Sequence, residues 1–153
     1  MRLSLTKIAL LLLSSLLSGT FISLKTLQHW KPIFIEDSHV PIWLSRIAPI
    51  EIEAITLFFL VFSRGKLDNQ TKNHESIHFQ QYLETLVVGF VFFYLWDYIR
   101  NQIVFRNRVK AYRMIRAERE AYRHESNLDY LAQRKRWRWL WGSSSTDLYK
   151  TYT

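Results

Sequence analysis

The segment His74-Glu75-Ser76-Ile77-His78 holds the residues best suited to chemistry in this chain. Imidazoles four positions apart on a helix face the same way and can share one Zn²⁺. The glutamate between them is the residue type that takes a proton from a water activated by such an ion. With five His in 153 residues, this spacing arises by chance in on the order of one sequence in a hundred, so the motif needs a third ligand from elsewhere. His74 and His78 lie about 40° apart around a helix and Gln81 within about 20° of His74, which defines one polar stripe that leaves out Glu84. The missing ligand is a carboxylate or imidazole on another helix. The best source is Arg116-Ala117-Glu118-Arg119-Glu120-Ala121-Tyr122, where Glu118 and Glu120 both qualify.

The elements that must carry these residues can be read from composition and pattern. A chain of 153 residues suits one domain. Six Trp and 16% aromatic residues suit a bilayer interface, where one end of a ring is apolar and the other wet. A net charge of +8, concentrated after Arg100, suits anionic head groups as well as nucleic acid. The chain contains no Cys, so disulfides are excluded and a metal site must use His, Asp or Glu.

Residues 1–27 carry Arg2 and Lys7 ahead of an apolar run from Ile8 to Leu24 and read as a signal anchor or signal peptide, an N-terminal membrane helix if uncleaved. Residues 28–49 hold all three prolines and read as linker and loop, with Trp30 and Trp43 as interface anchors. Residues 54–62 are β-branched and aromatic. They read equally well as a short edge strand or hairpin and as a short buried helix. Asp68 to Asn73 offer N-caps for the histidine helix, which runs on into the apolar stretch 86–96. That stretch is too short to cross a bilayer alone and suits a partly inserted helix or buried hairpin. Residues 106–138 are helical in period and basic, and residues 142–153 form a loose tail. Cations and indoles alternate from Arg134 to Trp141. After a membrane-seeking region this pattern suits a head-group belt better than nucleic-acid binding.

The pair formed by HExxH at 74–78 and Glu-x-x-Ala at Glu118-Arg119-Glu120-Ala121 resembles the gluzincin zinc metallopeptidases. It resembles in particular the membrane-associated HtpX-like and prenyl-protein proteases and is more loosely similar to the ImmA/IrrE antirepressor proteases. The resemblance covers roughly residues 73–130. It implies a mainly α, zincin-like helical domain over 28–141, with His74, His78 and Glu118 as zinc ligands, Glu120 as the alternative ligand, and Glu75 as the catalytic base. Those families follow the Ala with Asp or Asn, whereas Tyr122 stands here. The whole chain also resembles a set of small uncharacterised bacterial membrane proteins that share Asn-His-Glu-x-x-His, an apolar aromatic stretch and Glu-Arg-Glu-Ala-Tyr.

These features predict a zinc metallopeptidase of the bacterial inner membrane that hydrolyses a peptide or protein substrate of unknown identity. Tyr112, Arg113, Tyr122 and His124 are candidates to support a ligand or stabilise an oxyanion. His74, His78 and Glu118 can share an ion only on one side of the bilayer, so the intervening apolar segment must dip in and return or lie in the interface. The basic residues after Arg100 make that side cytoplasmic. A reading from a different class is a non-catalytic membrane adaptor or structural protein that retains the zinc-site motif.

Overall fold

A computed structural model describes residues 30–48 and 50–141. The signal anchor or signal peptide expected over 1–27 and the loose tail expected over 142–153 lie outside the described residues. Every element below belongs to the unit that begins at Lys31. In order these are β1 (Ile33–Ile35), α1 (Val40–Ser45), β2 (Ala54–Leu57), β3 (Leu60–Ser63), α2 (Asn69–Phe105), α3 (Arg108–Arg113), α4 (Arg116–His124), α5 (Tyr130–Gln133) and α6 (Arg138–Trp141). The unit is mainly helical with one small sheet.

The described part of the expected linker, residues 30–48, is more structured than its prolines suggest. Pro32 stands just before β1 and Pro41 lies in the first turn of α1, a position where a missing N–H costs nothing. These two prolines therefore punctuate elements. Of the two readings for residues 54–62, the hairpin is the one observed. β3 is the central strand, parallel to β1 and antiparallel to β2. Val61 and Ser63 alternate inward with period two. Leu57 pairs with Leu60 across the loop Phe58-Phe59, and β2 is left as an edge strand.

Asp68 caps α2 by accepting from the Thr71 N–H at 2.7 Å. The helix is long and apolar enough to cross a membrane by length and composition, and it is central in the chain. It is not straight, however. At Leu86 the backbone leaves the helical region for φ 49°, ψ 148°, and the chain reverses. His78 and Phe90 would be separated by about 18 Å along an unbroken helix, yet their ring centroids are 6.1 Å apart, and Tyr82 stacks on Phe90 at 4.1 Å. Gly89 permits the tight return, because a Cβ there would lie 3.1 Å from the Thr85 Cβ. Residues 69–85 and 87–105 thus form a helical hairpin. The apolar segment 86–105 therefore does not itself dip and return: the turn lies at its start, and residues 87–105 are a single limb running back along the histidine helix.

The basic stretch 106–138 is broken into short helices where periodicity alone suggests one. Arg106 adopts a left-handed conformation at the end of α2, and Asn107 then caps α3 by accepting from the Lys110 N–H at 2.9 Å. Asp97 accepts from the Arg116 backbone N–H and Nε at 3.1 and 2.8 Å, which supports the start of α4. The Arg134 to Trp141 cluster is not a head-group belt as a whole. Trp139 is 1% exposed and packs with Phe90, Ile115 and Ala117, whereas Trp141 is 86% exposed. α6 turns one indole into the core, and Arg134 is buried because two carboxylates neutralise it.

Candidate metal centre

α2 and α4 bring the motif residues together. His74, His78 and Glu118 are all buried and form a group able to hold a metal ion. The Nε2 atoms of the two histidines lie 3.1 Å apart. His78 Nε2 is 3.4 Å from Glu118 Oε1 and His74 Nε2 is 3.6 Å from Oε2. Two ligand atoms held about 2.1 Å from one zinc at the tetrahedral angle are about 3.4 Å apart, so these separations fit such an ion.

The outer partners of the imidazoles strengthen that fit. His74 Nδ1 meets Glu125 Oε2 at 2.8 Å, and His78 Nδ1 meets Gln81 Oε1 at 2.8 Å. Both partners accept, so each Nδ1 carries a hydrogen and each neutral imidazole turns a lone pair inward from Nε2. Two such nitrogens at 3.1 Å are compatible only with a cation between them, a proton on His74 in metal-free protein or a metal ion. Glu118 Oε2 is buried without a hydrogen-bond partner, a costly state that a bound cation would relieve. Tyr94 Oη, from the returning half of α2, donates to Glu118 Oε1 at 2.7 Å.

Glu118 is thus the carboxylate that faces the histidines, and Glu120 is not. Glu120 points the other way on α4 and accepts from Gln81, Tyr130 and Arg134. Tyr122 packs edge-on against His74 with centroids 4.8 Å apart, and the Arg113 guanidinium lies 5.9 Å from the Tyr122 ring centroid. Support for His74 comes from Glu125, two helical turns beyond Glu118, so the carboxylate missing at position 122 is supplied one turn later. Tyr112 lines the cavity beside Glu118. His124 stacks on Tyr130 at 3.7 Å, and its carbonyl, with those of Glu125 and Asn127, accepts from Asn73 Nδ2 at 2.9–3.1 Å. It braces the α2 and α4 junction and is not at the centre. Sequence reading missed Glu125, Tyr94, Asn73 and Thr56. Glu125 left its seven-residue spacing from Glu118 as a signal, and Asn73 its place directly before His74.

Glu75 lies on the cavity side of α2, where the Thr56 hydroxyl from edge strand β2 donates to its Oε2 at 2.6 Å. The cavity has a volume of about 380 Å³ and is walled by β2, by Ile47 and Ile52, and by Val91 and Leu95 of the returning helix. Compared with known protein families, curated proteins and solved structures, the chain matches none.

Burial alone would lower the pKa of His74, but its pairing with the neighbouring Glu118 and Glu125 carboxylates outweighs this and pushes it up to about 10. Burial likewise opposes a charge on Glu118, but the two histidines hold its carboxyl well below the usual range. In metal-free protein the His74 contribution to stability is complete below pH 6.5 and is lost as pH rises through about 10. The Glu118 contribution is complete above pH 4.5 and is lost below it. A melting series in chelator is therefore expected to peak between pH 4.5 and 6.5 and to decline steadily towards pH 10. A flat profile over that alkaline range would contradict the ion pairing. Zinc-loaded protein is expected to shed its metal on acidification, because protons compete for the imidazoles.

Proposed function

We propose that this protein is a membrane-associated zinc metallopeptidase of the gluzincin type, with His74, His78 and Glu118 holding Zn²⁺. The observation that carries this reading is the convergence of two imidazole Nε2 atoms and an unpartnered carboxylate oxygen beside Glu75. Zinc bound there would polarise a scissile carbonyl and lower the pKa of a neighbouring water towards ~7. Glu75, aimed by Thr56, takes the proton of that water and delivers it to the leaving amine. The unpaired edge of β2 aligns an extended peptide by strand addition along the cavity. Tyr112 donates to the developing oxyanion. Burial and the Glu118 charge raise its pKa well above the ordinary value, so its hydroxyl keeps the proton it needs to donate.

Membrane association rests on the returning half of α2. Val88, Phe92, Trp96, Ile99 and Ile103 recur at helical spacing, and all are exposed. An apolar stripe of that length suits lipid. The cations that follow it, Arg106, Arg108, Lys110 and Arg113, suit anionic head groups on the cytoplasmic side of a bacterial inner membrane.

The first test is metal content. Protein purified in detergent is expected to hold one zinc per chain, and His78→Ala none. A wild-type protein that takes up no zinc would overturn the reading.

A further inference from the structure

Glu120 has the look of a ligand in sequence and is not one in space, yet it is fully engaged. Its Oε1 accepts from Tyr130 Oη at 2.6 Å and from Arg134 Nε at 3.1 Å; its Oε2 accepts from Arg134 Nη2 at 3.0 Å and from Gln81 Nε2 at 2.7 Å. Arg134 is held in turn by both oxygens of Glu84, and Trp139 Nε1 donates to Glu84 Oε2 at 3.0 Å. All of these groups are buried.

Gln81 links this cluster to the metal centre. Its Nε2 faces two groups that only accept, the Glu120 carboxylate and the Ala117 carbonyl, the latter at 3.2 Å. Turning the amide over would set its oxygen against both and its hydrogens against His78, so one orientation is strongly preferred. That orientation presents Oε1 to His78 Nδ1 at 2.8 Å. Resting on the zinc reading, we infer that Glu120 selects the tautomer of His78 through Gln81, so that the buried relay Glu84, Arg134, Glu120, Gln81 aims the Nε2 lone pair at the metal. Glu120 is then a positioning residue. The amide has a physical reason to stand between them. Glu75, Glu118 and Glu125 already lie around the two imidazoles, and a further carboxylate against His78 would add like charge to a buried site, whereas an amide passes on orientation without charge.

The test uses the full chain in detergent with zinc alone as the probe. In ¹⁵N-histidine spectra of zinc-loaded wild type, His78 is expected to ligate through Nε2 with a hydrogen on Nδ1. Ligation through Nδ1 would overturn the inference without any variant having to fold. Gln81→Leu is expected to weaken zinc binding about 10- to 100-fold, the range seen when an outer partner of a ligand is lost. Glu120→Gln is expected to weaken it similarly in the wild-type background and to add nothing in the Gln81→Leu background. Full additivity of the two changes, or wild-type affinity in Gln81→Leu, would overturn the relay while leaving the zinc reading intact. Wild-type protein that binds no zinc would remove the zinc reading itself.

Discussion

Glu75→Gln protein is expected to retain its zinc and to lose peptide hydrolysis by about 10²- to 10⁴-fold, the usual contribution of a general base. The substitution keeps the shape of the side chain. The Thr56 hydroxyl that donates to Glu75 Oε2 at 2.6 Å can donate equally to an amide oxygen, so β2 stays docked on α2. What changes is basicity, because a carboxamide cannot take a proton from water near neutral pH. Metal content and hydrolysis of a peptide library measured on the same preparation check the outcome. Loss of zinc would make Glu75 a structural residue. Full function of the variant in a deletion strain would instead favour the non-catalytic adaptor or structural reading.

Arg134→Met is expected to be the most damaging single change to the fold. The guanidinium bridges Glu84 and Glu120 in a buried position, so its removal leaves two carboxylates facing each other in the interior. Breaking a buried pair from one side costs about 3–5 kcal/mol, a large share of the roughly 5–15 kcal/mol that stabilises a typical domain. A melting temperature lowered by about 10 °C or more is expected for a chain of this size. Arg134→Lys should recover only part of the loss, because one ammonium cannot fork to two carboxylates. Thermal unfolding of both variants in chelator isolates the effect from metal binding. An unchanged melting point in Arg134→Met would refute this account of the core.

Much of the candidate centre is legible in the order of residues, and the limits of that legibility are physical. His74, Glu75 and His78 declare themselves because helical period alone sets which side chains share a face. Gln81 belongs to the same stripe for the same reason. Glu118 and Glu120 are equivalent in composition and nearly so in position. They differ because α4 packs one face against α2 and the other against Arg134 and Tyr130, and no local pattern contains that packing. Glu125 is separated from His74 by 51 positions, and Thr56 from Glu75 by 19; each is a partner only through the fold. Composition groups Trp139 with its exposed neighbours, yet it lies in the core because α6 turns it inward.

By itself, then, the sequence determined the helix-borne histidine pair with its glutamate, the mainly helical class, the absence of any thiol ligand and the need for the chain beyond the histidines to return with a third ligand. Only the tertiary structure decided where that return occurs, at Leu86 beside Gly89, and which glutamate faces the histidines. It also decided which groups orient each imidazole. The division follows from the forces involved. Helical period and capping act within a few residues and can be read locally. Pairing a buried charge depends on contacts between distant segments, whose energies exist only once the core has closed around them.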